Sequence, residues 1–104
     1  ALAGLRDLAP DARLVLMLVP ASIQVCTADD LNYFPDNVDM ATMDLDQPQK
    51  MARSVAASAG MEVLDLRTAL SAAIECPYQA GNMHWTEYGH EVVADAVVQY
   101  LALP

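Results

Sequence analysis

Both histidines of the chain fall in one short stretch, Gly81-Asn82-Met83-His84-Trp85-Thr86-Glu87-Tyr88-Gly89-His90. Imidazole is the side chain whose ordinary titration lies nearest neutrality, which suits it to accept a proton from a nucleophile. A serine hydroxyl needs such a base to attack a carbonyl, and the base needs a third group to fix its tautomer. His84 stands in a loop just ahead of a helix, where it would be exposed yet oriented. Asn82 can hold its ring, and Trp85 can anchor the loop. A blander reading stands beside this one: His84 caps the following helix and Trp85 fills the core. A metal site is a third reading, because His84, Glu87 and His90 are spaced by three and would converge on one helical face, and His/Glu sets bind zinc. Gly89 would let the helix start pack closely, and His90 could simply bond a loop carbonyl.

The elements that position this stretch follow from local patterning. Leu2, Leu5 and Leu8 mark a helix end that feeds Arg13 to Val19, an apolar run without alternation closed by Pro20. Such runs suit strands buried on both faces, as in a parallel sheet. Asp46-Gln47-Pro48-Gln49 predicts a helix start, with Asp46 as N-cap and Gln49 at the capping-box position. The helix, Pro48 to Ala59, carries its apolar stripe on Met51, Ala52, Val55, Ala56 and Ala59, and Gly60 stops it. Met61 to Leu66 supplies a second strand, at about Glu62 to Leu66. Strand, helix and strand make a βαβ crossover with parallel strands. A short helix over Thr68 to Ile74 and a loop over Glu75 to Trp85 follow. Thr86 then caps a last helix, about Glu87 to Leu101, with apolar positions at Val92, Val93, Ala96, Val97, Tyr100 and Leu101.

The segment Thr27 to Asp46 holds six aspartates, no Lys or Arg, and the turn-like Phe34-Pro35-Asp36-Asn37, and reads as a long acidic loop. With 14 acidic against 5 basic residues the chain carries net charge −9. That argues against nucleic acid as a partner, since such binding neutralises phosphates with Lys and Arg. At 55% hydrophobic and 18% charged residues it is too apolar for a disordered chain, and 104 residues suffice for one domain. No apolar run approaches the ~18 residues of a membrane span. The first residues carry neither the basic nor the apolar region of a signal peptide. Cys26 and Cys76 permit one disulfide or two free thiols. A bridge would close about fifty residues and implies an oxidising compartment, periplasmic or secreted.

Asn82-Met83-His84-Trp85-Thr86, then Gly89-His90 and an Ala/Val-rich helix, resembles the C-terminal catalytic block of SGNH-type (GDSL-like) hydrolases. It looks most like the branch related to alginate O-acetylation proteins, in which Asp-x-His-Trp precedes a Gly and a closing helix. Leu18-Val19-Pro20, the helix from Pro48 to Ala59, and Val63-Leu64-Asp65-Leu66 before Arg67-Thr68-Ala69-Leu70 follow that family's order, so the resemblance spans roughly Arg13 to Leu101. It implies an α/β fold, part of a three-layer (flavodoxin-like) parallel sheet flanked by helices. It also implies a serine esterase or O-acyltransferase acting on a small acyl ester or acylated carbohydrate, with His84 as base, Asn82 as its orienting group and no cofactor.

This chain departs from the family in two ways. Asn82 stands where the family has Asp, and an amide can orient an imidazole but cannot offset an imidazolium charge. The Gly-Asp-Ser-like turn that carries the nucleophile is absent. Ser22 follows a strand that matches a later one in the family's order, Ser54, Ser58 and Ser71 fall within helices, and none is assigned as nucleophile. The expectation is therefore that residues 1–104 form one domain, the C-terminal part of a longer hydrolase, with the serine outside. A two-stranded sheet with open edges is expected to pair with another copy or with the missing N-terminal part. The rival from another class is a non-catalytic binding or scaffold module that has lost its active site.

Overall fold

The computed structural model describes residues 2–31 and 39–103. The chain gathers into two compact units, one of residues 1–18 and 44–65, the other of residues 19–43 and 66–104.

The first unit is the βαβ crossover. Helix α1 (Leu2–Leu8) leads to β1 (Val15–Leu18), helix α3 (Gln47–Ser58) leads to β2 (Glu62–Asp65), and the strands pair in parallel. The register sets Val15 against Glu62 and Leu18 against Asp65. Both strands are shorter than their apolar runs. Arg13 leaves the ladder to grip both carboxylate oxygens of Glu62, at 2.8 and 2.9 Å, and Leu66 turns into the next helix. Burial on both faces of β1 is not observed: Val15, Leu16 and Leu18 are half-buried and Met17 is exposed. Helix α3 touches both strands, and no third strand pairs with them among the described residues. The stripe on α3 divides in the same way, with Ala56 and Ala59 buried but Met51 and Val55 exposed.

The start of α3 corrects the capping expectation. Asp46 makes no side-chain cap bond; Asp44 begins the turn instead, its Oδ1 accepting the Asp46 N–H at 3.0 Å and its carbonyl accepting that of Gln47. The Asp46 backbone N–H, and next the Lys50 ammonium at 3.2 Å from Oδ2, hold the Asp44 carboxyl below its ordinary range. Asp46 fails as a cap because its backbone is already helical, whereas a cap residue is normally extended. The far end of the helix follows the sequence. Gly60, at φ 67°, takes the left-handed conformation, and the N–H groups of Gly60 and Met61 bond the carbonyls of Ala57 and Ala56. Arg53 of α3 then reaches Asp65 at the end of β2, at 3.1 Å.

In the second unit a 3-10 turn (Ser22–Gln24) precedes α2 (Ala28–Leu31), and a second 3-10 turn covers Met40–Thr42. The acidic segment is thus partly helical, because its polar side chains supply caps. Thr27 and Asp30 bond one another's backbone N–H across the start of α2, and Asp39 caps the second turn. The Phe34-Pro35-Asp36-Asn37 turn lies outside the described residues. Helix α4 (Leu66–Ser71) begins two residues earlier than expected, directly from β2, and ends sooner. Beyond it the Tyr88 hydroxyl accepts the N–H of Ile74 at 3.2 Å. Helix α5 (Glu87–Ala102) packs on α4, with Leu66, Leu70 and Val93 buried. Cys26 and Cys76 are joined in a disulfide. Among the described residues no helix is long and apolar enough to cross a membrane.

Candidate functional site

The site is built on the loop between α4 and α5, all of it within the second unit. Pro77 is buried at its base and receives the start of α5. The Pro77 carbonyl accepts the backbone N–H of Thr86 at 2.9 Å and its hydroxyl at 3.3 Å. The Thr86 Oγ1 in turn accepts the Gly89 N–H at 3.0 Å, so Thr86, not His84, caps the helix. Gly89 lies directly on the same carbonyl: a Cβ built there would stand 2.2 Å from the Pro77 oxygen. Close packing of the helix start is therefore the physical role of this glycine. Tyr78, buried, bridges to Trp85 across the loop, and its hydroxyl donates to the Pro20 carbonyl at 2.6 Å.

Between those two anchors the loop folds over a chain of amide bonds whose direction is determined. The Gln79 N–H donates to the His84 carbonyl at 2.8 Å, and Gln79 Nε2 donates to the Trp85 carbonyl at 3.0 Å. A carbonyl can only accept, so the Gln79 side-chain oxygen is left to take the Asn82 Nδ2–H at 3.1 Å. The Asn82 Oδ1 then accepts the backbone N–H of His84 at 2.8 Å and lies 3.2 Å from His84 Nδ1. Because Oδ1 is an acceptor, this second contact is a hydrogen bond in the tautomer that carries the proton on Nδ1, which leaves the lone pair on Nε2. His84 as a whole is exposed.

The structure thus brings Asn82 and His84 together. Trp85 is half-buried, and its ring meets that of His90 edge-on at 5.3 Å between centroids. Among the described residues no three His, Cys, Asp or Glu side chains converge as ligands, and Thr86 keeps His84 outside the helix that would have aligned it with Glu87 and His90.

Beside His84 lies an open cleft of about 470 Å³, walled by residues 19–22, Tyr78, residues 83–85 and His90. None of these residues is Asp, Glu, Lys or Arg, although the chain as a whole is strongly acidic. Ser22 is in this wall but only 1% exposed, which keeps it from the nucleophile's role. Ser54 and Ser58 lie on α3 and Ser71 ends α4, away from the His84 loop in sequence.

Sequence reasoning missed Gln79 and the cleft. Nothing in residue spacing singles out a glutamine that acts through another amide, and the walls come from segments far apart in the chain. No family model, curated protein or solved structure matches the chain.

Proposed function

We propose that this chain is the C-terminal portion of an SGNH-type serine esterase or O-acyltransferase, part of a three-layer flavodoxin-like sheet, and that it supplies the catalytic base. One observation carries the reading: Asn82 Oδ1 spans the backbone N–H and the Nδ1 of His84, which favours the tautomer with Nε2 free. An oriented base uses this arrangement.

The serine lies outside these residues. Its Oγ would attack the ester carbonyl carbon while its proton passes to Nε2 of His84. Collapse of the tetrahedral intermediate would break the acyl–oxygen bond, and the departing alcohol would take that proton back. Water, or a sugar hydroxyl in the transferase case, would then attack the acyl-serine with His84 again accepting the proton, and collapse of that second intermediate would break the acyl–Oγ bond, release the acid or the new ester and return the proton from His84 to the serine. Asn82 orients the ring throughout but leaves the transient imidazolium uncompensated. Among the described residues no further strand pairs with the two-stranded sheet, whose edges would pair with the remainder of the protein or with a second copy. The Cys26–Cys76 bridge supports a periplasmic or secreted setting.

A second reading, a binding module that has lost catalysis, is favoured by one feature, the neutral Asn82 in place of a carboxylate. One experiment separates the two. In the longer protein with its serine, His84→Ala should lower hydrolysis of an activated acetyl ester by at least about a hundredfold, the usual share of a positioned base. Asn82→Asp should raise it. No hydrolysis by that protein would leave the module reading in place, and turnover unchanged in His84→Ala would return His84 to a packing role.

A further inference from the structure

We infer that the cleft beside His84 seats an uncharged apolar acyl group considerably longer than acetyl. The inference rests on the proposed function for the word acyl, since it is His84 that ties the cleft to an ester; the cleft itself is independent of that reading.

Three observations point to this occupant. The first is size: the 470 Å³ of the cleft is far more room than the few heavy atoms of an acetyl need. It also falls within the ordinary range of small-molecule sites. The second is charge. Val19, Pro20, Tyr78, Met83 and Trp85 supply no formal charge, and the polar neighbours are the neutral Ser22 hydroxyl and two imidazoles. A phosphate or carboxylate would find no Lys or Arg, and a cation would find no carboxylate, so no fixed charge in the wall favours an ion. The third is what surrounds the base. The Tyr78 hydroxyl, which could have made the wall polar, is turned to the Pro20 carbonyl, so apolar carbon dominates the surface next to the imidazole. Met83, an adaptable side chain that is 63% exposed, borders the opening and can close over chains of different length.

Trp85 is the chain's single tryptophan and lines the cleft, so its emission reports occupancy directly. The experiment titrates this chain with acetamide, hexanamide and hexanoate, following Trp85 fluorescence and the methyl resonance of Met83. Each fully buried methylene is worth about fourfold in affinity. Four methylenes therefore set a ceiling of about two hundredfold, and in an open cleft hexanamide should bind at least tenfold more tightly than acetamide. Hexanamide should also bind more tightly than the hexanoate anion. Met83→Glu, at an exposed position, should weaken hexanamide at least fivefold with the circular dichroism spectrum unchanged.

Equal affinity for the two amides, preference for the anion, or binding that moves neither the Trp85 nor the Met83 signal overturns the inference. In the longer protein, activity that depends on His84 but is equal on acetyl and hexanoyl esters overturns the acyl seat and leaves the base intact. Hexanamide binding in a protein that hydrolyses no ester overturns the base and with it the acyl identity, and leaves only the cleft.

Discussion

Replacing Gly89 by alanine sets two effects of opposite sign against one another. Glycine inside a helix costs about 0.5–1 kcal/mol relative to alanine, so the exchange would be stabilising if nothing stood near. Here the new methyl would lie 2.2 Å from the Pro77 oxygen and 3.0 Å from the Trp85 Cβ. Approaches under 3.0 Å are essentially never found for real side-chain carbons, so the backbone must shift by most of an ångström. The Pro77 carbonyl is not free to give way, because the Thr86 N–H and hydroxyl both bond to it. Overpacking of this kind costs about 1–3 kcal/mol, and each hydrogen bond lost adds about 1 kcal/mol. After subtracting the helix gain, Gly89→Ala should destabilise the protein by about 2–3 kcal/mol, measured by urea unfolding followed through Trp85 emission. Gly4 provides the control. It sits in α1 with nothing within 4 Å of the place a methyl would take, so Gly4→Ala should be neutral or stabilising by up to about 1 kcal/mol. If Gly89→Ala were as stable as the parent, the clash would be relieved by a route the packing does not offer, and the reasoning from close approach would fail.

Two further outcomes can be checked on the same chain. Gln79→Ala should release Asn82 and allow the His84 proton to redistribute between its ring nitrogens, seen as movement of the Nδ1 and Nε2 nitrogen shifts towards their average in NMR spectra; an unchanged tautomer would show that Asn82 needs no support. Reducing Cys26–Cys76, or replacing both by serine, reopens a separation of 50 residues and should cost up to about 4 kcal/mol in the chain-entropy model, read as a lower urea midpoint; an unaltered midpoint would show that the bridge constrains nothing.

The crossover was legible in the sequence because its signals are local and strong. The unbroken run before Pro20, the helical stripe ending at Gly60 and the next apolar run leave little besides parallel pairing of β1 and β2. Thr86 as the cap of α5 was equally readable, since it depends on residues only a few positions apart, and Gly89 was readable as a point of close packing although the carbonyl it packs on, that of Pro77, was not. Tertiary structure decided what depends on partners that periodicity does not encode. Asp44 took the turn from Asp46 because the backbone at Asp46 is already helical, a matter of dihedral angle and not of residue type. Met17, Met51 and Val55 read as core residues, yet stay exposed, because burial depends on which elements meet a face and not on the apolar character of the face itself. At the site, Asn82 beside His84 could be named from its spacing, but the direction of the amide chain from Trp85 through Gln79 to Asn82 required the loop to fold back on itself. Hydrogen-bond polarity propagates only when every donor has met its acceptor, and that condition exists in space before it can be read along the chain.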